Sequence, residues 1–300
     1  MQYGQSANAM HRGLALRNFI PMLIVLLACL FASRATMAQI KGFTAIPLTP
    51  ESTISAPDKE AIVQSGEGAP RGSEFPGSKV ASGFCDVAIA AGISPAGYLA
   101  LSLFGIMPVP GVTDDSVTNF TVPAFTFAGQ SYTKVGFSSN GYVIIGGSTV
   151  PADNAFINQN MPNPASPNNV LAPFWTDLDP PAGGALRIGV LTDGMDTWNV
   201  LDWEGVKEFG ATRTHSFQVW IGINGDAHPA EDITFTYGPV GGAGAPGGLT
   251  VGAENKFGTR GQNFYFNGTG TLPVTGTQLR VTTTSCRTSR IAPILYQILN

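Results

Sequence analysis

The 300-residue chain carries 16 lysines and arginines against 20 aspartates and glutamates, a formal net charge of -4, with 12% charged and 43% hydrophobic residues. That apolar content suffices for a core, while so few cations exclude the basic field that counterion-driven binding to nucleic acid or an anionic membrane surface requires. With 37 glycines and 22 prolines the chain is punctuated too often for long helices, which points to an all-β, loop-rich protein.

In chain order, His11, Arg12 and Arg17 precede an apolar run over 19–31, and the small residues Ala32, Ser33, Ala35 and Ala38 follow. This is the pattern of a secretory signal peptide over 1–38, cleaved after Ala35 or Ala38, and it places the protein outside the cytoplasm, extracellular or periplasmic. The run is shorter than the roughly 20 residues of a bilayer-spanning helix. Two alternatives stand beside it: an uncleaved anchor, and lipidation at Cys29, since Leu26-Leu27-Ala28-Cys29 resembles a lipobox. Residues 39–84 mix Pro, Ser, Gly and scattered charges without sustained periodicity and read as a flexible leader. The folded domain is expected over 85–286. It is bracketed by Cys85 and Cys286, an even pair that an exported chain oxidises to one disulfide, with two separate buried thiols as the alternative. The tail over 287–300, RTSRIAPILYQILN, is too short to span a membrane.

Within the domain, β-branched or alternating runs bounded by turn residues predict about eleven strands. They fall at 119–127, with Pro123 marking an edge or a bulge, then at 132–138 and 142–146, which flank Asn140-Gly141. That dipeptide predicts a type I′ hairpin, because both residues tolerate positive φ. Further strands are predicted at 170–176, 186–191, 198–203, 215–223, 233–237, 249–254, 263–267 and 279–284. Two packed antiparallel sheets, a β-sandwich, or a partly closed barrel follow. Along 215–223, Phe217, Val219 and Ile221 alternate with Gln218, Trp220 and Gly222, so one face is buried, and Trp220 is a candidate binding residue on the other. The remaining aromatics read mostly as core.

Several ordered segments carry a family likeness. They are GYLALSLFGIMPVPGVTDDSVTNFTVPAFTFAGQSYTKVGFSSNGYVIIGG, NPASPNNVLAPFWTDLDP, GVLTDG, WEGVKEFG, SFQVWIGING, EDITFTYG and VGAENKFGTRG. Through them the run from about Gly97 to Thr284 resembles the non-catalytic C-terminal β domain of secreted bacterial subtilisin-like serine peptidases and, more distantly, the nidogen-type extracellular β domain. The resemblance implies an accessory module without chemistry of its own. In agreement, the Asp, His and Ser motifs of a serine peptidase are absent, and GFSSNG reads as a hairpin and not as a nucleophile elbow.

The residues that could carry chemistry are few. His215 opens a strand without a Cys, Asp or second His at metal spacing, and His228 lies in the acidic loop NGDAHPAED; both read as solvated or structural polar residues. In FWTDLDP, Asp177 and Asp179 alternate on an extended segment, which puts both carboxylates on one side. With Glu254, and Asn255 beside it, they form a candidate calcium set of hard oxygens; the alternative has them capping loop N–H groups and pairing with Arg187 or Arg260. The run GPVGGAGAPGG follows a strand but opens no helix, so it reads as a flexible loop and not as a phosphate cradle. The expected function is a secreted, non-catalytic binding module for an extracellular or envelope protein or a surface polymer. The alternatives are an accessory or regulatory partner of a separate secreted serine peptidase and a structural envelope component. No cofactor is expected beyond calcium.

Overall fold

The computed structural model describes residues 42–55, 84–225, 232–245 and 248–287. The signal peptide, Cys29, His228, most of the tail and residues 56–83 of the leader lie outside them. By contact the chain divides into a unit of residues 1–44, of which only 42–44 are described, and a unit of residues 45–300, which is the subject below.

Fifteen strands lie among the described residues. They run β1 (Thr44–Pro47), β2 (Pro50–Ser55), β3 (Phe84–Ala91), β4 (Ser116–Phe127), β5 (Gln130–Ser138), β6 (Val143–Ile145), β7 (Val170–Trp175) and β8 (Ala185–Thr192). There follow β9 (Thr197–Lys207), β10 (Thr214–Gly222), β11 (Ile233–Tyr237), β12 (Thr250–Glu254), β13 (Gly261–Phe266), β14 (Thr269–Gly270) and β15 (Gln278–Arg287). Every strand expected from the sequence is present. Those not foreseen are β1, β2, β3 and β14. Two of them, β1 and β2, fall inside the segment read as a flexible leader, so residues 44–55 depart from that reading. Their mostly exposed residues carry no alternation. Instead β2 is set by its partner, with Pro50 opposite Phe120 and Ser55 opposite Ser116.

The strands form two antiparallel sheets, in the orders β1-β8-β9-β10-β11-β15-β3 and β14-β13-β12-β7-β6-β5-β4-β2. Their inner faces meet in one hydrophobic core, the arrangement of a β-sandwich. The period-two pattern decides which residues enter it: Phe217, Val219 and Ile221 of β10 face Phe137, Val143 and Leu171 of the other sheet within this core. Each such side chain, fully buried, contributes about 1.5–3 kcal/mol. Two aromatic residues also fasten sheet to sheet by hydrogen bonds. Trp203 Nε1 donates to Ser138 O at 2.9 Å, and the Tyr237 hydroxyl donates to Pro173 O at 2.6 Å. Phe137 meets the Trp203 ring edge-on at 4.5 Å.

Much of each outer face is buried as well, because each is crossed by a strap of irregular chain. The first strap, residues 92–112, leaves β3 and visits the strands of its sheet in spatial order. Ser94 Oγ donates to Gln278 Oε1 on β15 at 2.7 Å, and the Tyr98 ring lies against Gly238 just past β11. Leu99 and the Gln218 amide of β10 exchange two hydrogen bonds. Leu101 N donates to Asp202 of β9 at 2.9 Å, Ser102 Oγ donates to Glu204 at 2.5 Å, and Arg187 Nη1 of β8 donates to Ile106 O at 2.5 Å. Trp220 therefore does not face solvent, as its alternation had allowed. It is fully buried, donates from Nε1 to Gln218 Oε1 at 3.0 Å and meets Trp198 edge-on at 5.9 Å.

The second strap, residues 146–169, covers the other sheet. It seals a smaller apolar cluster of Val117, Tyr142, Ile144, Met161, Val170, Ala172 and Trp175. Trp175 Nε1 donates to Ala155 O at 3.1 Å, and the Tyr142 hydroxyl donates to Asp153 O while accepting from Ala155 N, both at 2.8 Å. Further along, Asn158 Nδ2 donates to Thr250 Oγ1 at 3.0 Å and to Asn267 Oδ1 at 2.9 Å, and Asn163 N donates to Glu254 Oε2 at 2.8 Å. Its Met161-Pro162 and Ser166-Pro167 bonds are cis.

Candidate functional site

The hairpin between β5 and β6 is the root of the best-organised polar cluster. With Phe137 opposite Val143 and Ser138 N donating to Tyr142 O at 3.0 Å, the connection is a three-residue tip, Ser139 to Gly141. Gly141 has φ 80° while Asn140 is not in the positive-φ region, so the turn is not the type I′ expected from Asn-Gly. The reason is tertiary. The tip is buried: a Cβ on Gly141 would lie 2.0 Å from Phe174 O, and Asn140 is aimed inward. Its Nδ2 donates to Asp115 Oδ1 at 2.8 Å, while its Oδ1 accepts from Leu178 N at 2.9 Å. One amide thereby joins the loop before β4, the hairpin tip and the FWTDLDP segment.

Beside Asn140, carboxylate oxygens of Asp114, Asp115 and Asp177 all lie within 4.8 Å of one another, the arrangement among the described residues that could hold a metal ion. The expected calcium set is thus brought together only in part. Asp177 joins this trio, but Asp179 caps the 3-10 turn Pro180–Ala182, accepting from Ala182 N at 3.1 Å, and Glu254 ends β12. The alternation argument fails here because β7 stops at Trp175, so neither aspartate belongs to a strand. The expected arginine pairing fails too: Arg187 pairs with Glu204 at 2.8 Å and Arg260 with Asp86 at 3.4 Å.

Next to the trio, Phe209 N donates to Asp177 O at 3.1 Å, and Leu178 bridges to Glu208. The Glu208 carboxylate is buried between Arg213, whose Nη2 lies at 2.5 Å, and His215, whose Nε2 lies at 2.7 Å. Burial pushes the Glu208 carboxyl up, but the hydrogen bonds from His215 and Arg213, together with the Arg213 charge, outweigh it and hold it below the usual carboxylate range. Since His215 Nδ1 accepts from Gly241 N at 3.3 Å, the neutral tautomer with its proton on Nε2, donating to Glu208, satisfies both partners. Neither ring nitrogen is offered to a hydroxyl or thiol. Arg213 also donates to Gly244 O at 2.8 Å, and Thr176 Oγ1 accepts from Ala245 N at 2.8 Å. The glycine-rich run is therefore a loop pinned by a Glu-His-Arg group.

Two more buried carboxyls lie beneath the straps. Burial, with a smaller contribution from the nearby Glu204, pushes Asp202 up to about 7 against the Leu101 N–H that favours its charge. Burial raises Glu254 to about 8, opposed by the Asn163 N–H. Cys85 is buried and disulfide-bonded. The register of β15 on β3 pairs Thr284 with Asp86 and Arg287 with Phe84, which brackets position 286 opposite Cys85.

Asp114, Asp115, Glu208 and Asp202 were not singled out from the sequence, and Asn140 was singled out only for its turn. A signal existed for Glu208, because the β9–β10 hairpin pairs Val206 with His215 and carries a glutamate two residues on. For Asn140 the strong turn signal masked the buried role. No helix among the described residues is long and apolar enough to cross a membrane. A family model described as NIDO related (NIDO_rel) matches residues 101–294. It covers the nidogen side of the likeness, and nothing in it concerns subtilisin-like peptidases. No curated protein and no solved structure matches the chain.

Proposed function

Since the chain belongs to the NIDO-related family, we propose that it acts as a secreted, non-catalytic binding or accessory module whose partner is an extracellular or envelope protein or a surface polymer. The observation that carries this reading is the engagement of His215: one ring nitrogen holds Glu208 and the other the Gly241 N–H, so neither is free to activate a nucleophile. The signal-peptide pattern supplies export. Cys286 is the partner we assign to Cys85, as export chemistry and the bracketing register both favour.

Pull-down with the exported protein as bait, against culture supernatant and solubilised envelope, tests the reading. Reproducible recovery of one protein or polymer supports it and names the partner; a serine peptidase among the captured proteins selects the peptidase-accessory form, which rests on the segment likeness alone. Hydrolysis of a broad protein substrate, abolished by a serine-directed inhibitor, would overturn it. Retention with the envelope and no captured partner replaces it with a structural role.

A further inference from the structure

The first strap rests on two carboxyls that share one cation. Asp202 and Glu204 lie two residues apart on β9, hence on one face of the sheet, and each accepts from the strap: Leu101 N donates to Asp202 Oδ2 at 2.9 Å and Ser102 Oγ to Glu204 Oε1 at 2.5 Å. Arg187 stands opposite Asp202 in the β8–β9 register, yet its guanidinium turns to Glu204 Oε2 at 2.8 Å and to Ile106 O at 2.5 Å. Asp202 is fully buried, and its Oδ1 has no full hydrogen bond, Gln218 and Tyr98 lending it only weak support. While Asp202 is protonated, the charges of this group cancel. Once it ionises, a negative charge stands beneath the strap without a counter-ion, where water is excluded.

The other groups around it bring no second cation. Tyr98 is the strap's one ionisable side chain, and burial followed by the Asp202 charge holds its phenol far above the ordinary range, so it stays neutral. Gln218 of β10 is uncharged, and His215 of the same strand lies on the inner face, against Phe174 and Glu208. The strap is also built to move in its middle. Its ends are tied by groups that do not titrate near neutrality, Ser94 on Gln278 and Val109 N on Leu186 O at 2.8 Å. Between them, residues 98–104 are flanked by Gly97 and Gly105 at φ 67° and 73°, and a Cβ on either would meet nothing within 4 Å. Glycines in open space at positive φ let a chain swing without breaking packed contacts.

We propose that the first strap is a pH-operated cover: residues 98–104 lie on the sheet while Asp202 is protonated and lift about Gly97 and Gly105 as it ionises, baring Gln218 and Trp220. Lifting admits water to the carboxyl, which then takes the ordinary aspartate value. The cover is fully held below about pH 4, where Asp202 is protonated whether the strap is down or lifted. Its hold weakens about tenfold per pH unit up to about pH 7 and levels off above. The device does not depend on what the module binds.

Hydrogen exchange from about pH 5 to 8, corrected for the intrinsic rate, tests it, with acrylamide quenching of tryptophan emission in parallel. The Leu99 and Leu101 amides should lose protection about tenfold per pH unit up to about pH 7 and stay less protected than the Leu201 and Val219 amides of the sheet beneath. Quenching should rise over the same range. Asp202→Asn should hold both readouts flat; if that variant fails to fold, the wild-type exchange decides alone. Strap amides that share the protection of Leu201 and Val219 at every pH overturn the proposal, since no separate cover then exists. So does strap protection that stays level with pH, or a slope that survives in Asp202→Asn and therefore belongs to another group.

Discussion

The two straps do the same job with different chemistry. The first is anchored by groups that titrate: Asp202 and Glu204 accept its N–H and O–H groups, and Arg187 donates to its main chain. The second is anchored mostly by amides and by indole and phenol groups over an apolar cluster, with the Glu254 carboxyl holding Asn163 N as a titrating exception. A sandwich with both outer faces covered holds its core between two further layers, and what each layer rests on decides how it responds to its surroundings. The first strap should sense pH, whereas the amide and indole anchors of the second should not.

The largest effect is expected from Trp175→Ala, which removes the centre of the second strap's cluster. It should destabilise by about 3–5 kcal/mol in urea unfolding, and hydrogen exchange should show protection lost over 146–169 and retained over 92–112. Protection lost equally in both would break the comparison, because the straps would then be one cooperative unit.

Asp202 sharpens the contrast. Its folded pKa, raised to about 7, lies above the ordinary aspartate value, so the folded state binds a proton that the unfolded chain has released. The stability this contributes is complete below about pH 4 and is lost as pH rises towards 7, a decline on the order of 4 kcal/mol. Asp202→Asn should flatten that slope, matching the wild type near pH 4 and exceeding it at pH 8, as read from urea midpoints. A wild-type midpoint that stays level from pH 4 to 8 would remove the titrating character assigned to the first strap.

Asn158→Ala should cost less, about 1–2 kcal/mol for two lost hydrogen bonds, with the same value at pH 5 and pH 8. The smallest effect belongs to the outward side of the first strap, where Met107 is 76% exposed. Met107→Ser should move stability by no more than about 0.5 kcal/mol; a larger loss would mean that this side chain packs against something.

Much of the architecture was legible in the sequence. Strands with a hydrophobic face, such as Phe217-Val219-Ile221, announce themselves because burial on one side imposes a period of two. The edge strands β1 and β2 do not, since pairing along a backbone leaves no pattern in the side chains. At the site the sequence drew attention to the right segments, FSSNG and FWTDLDP, yet misjudged their geometry. A turn propensity says which φ values a residue tolerates, not whether the turn will be buried, and Asn140 is set by its three neighbours. Asp177 and Asp179 were paired by a strand periodicity that ends two residues too early.

What the sequence by itself determined is the all-β class, the strand order along the chain and the composition of the core, because these follow from local alternation and turn chemistry. The outer layers were decided only by the tertiary structure. Gln218 and Trp220 alternate away from the core face of their strand, and only the irregular segment lying across them decides that they are buried. Irregular chain is placed by long-range hydrogen bonds between residues about a hundred positions apart, such as Leu101 with Asp202, and these leave no periodic trace.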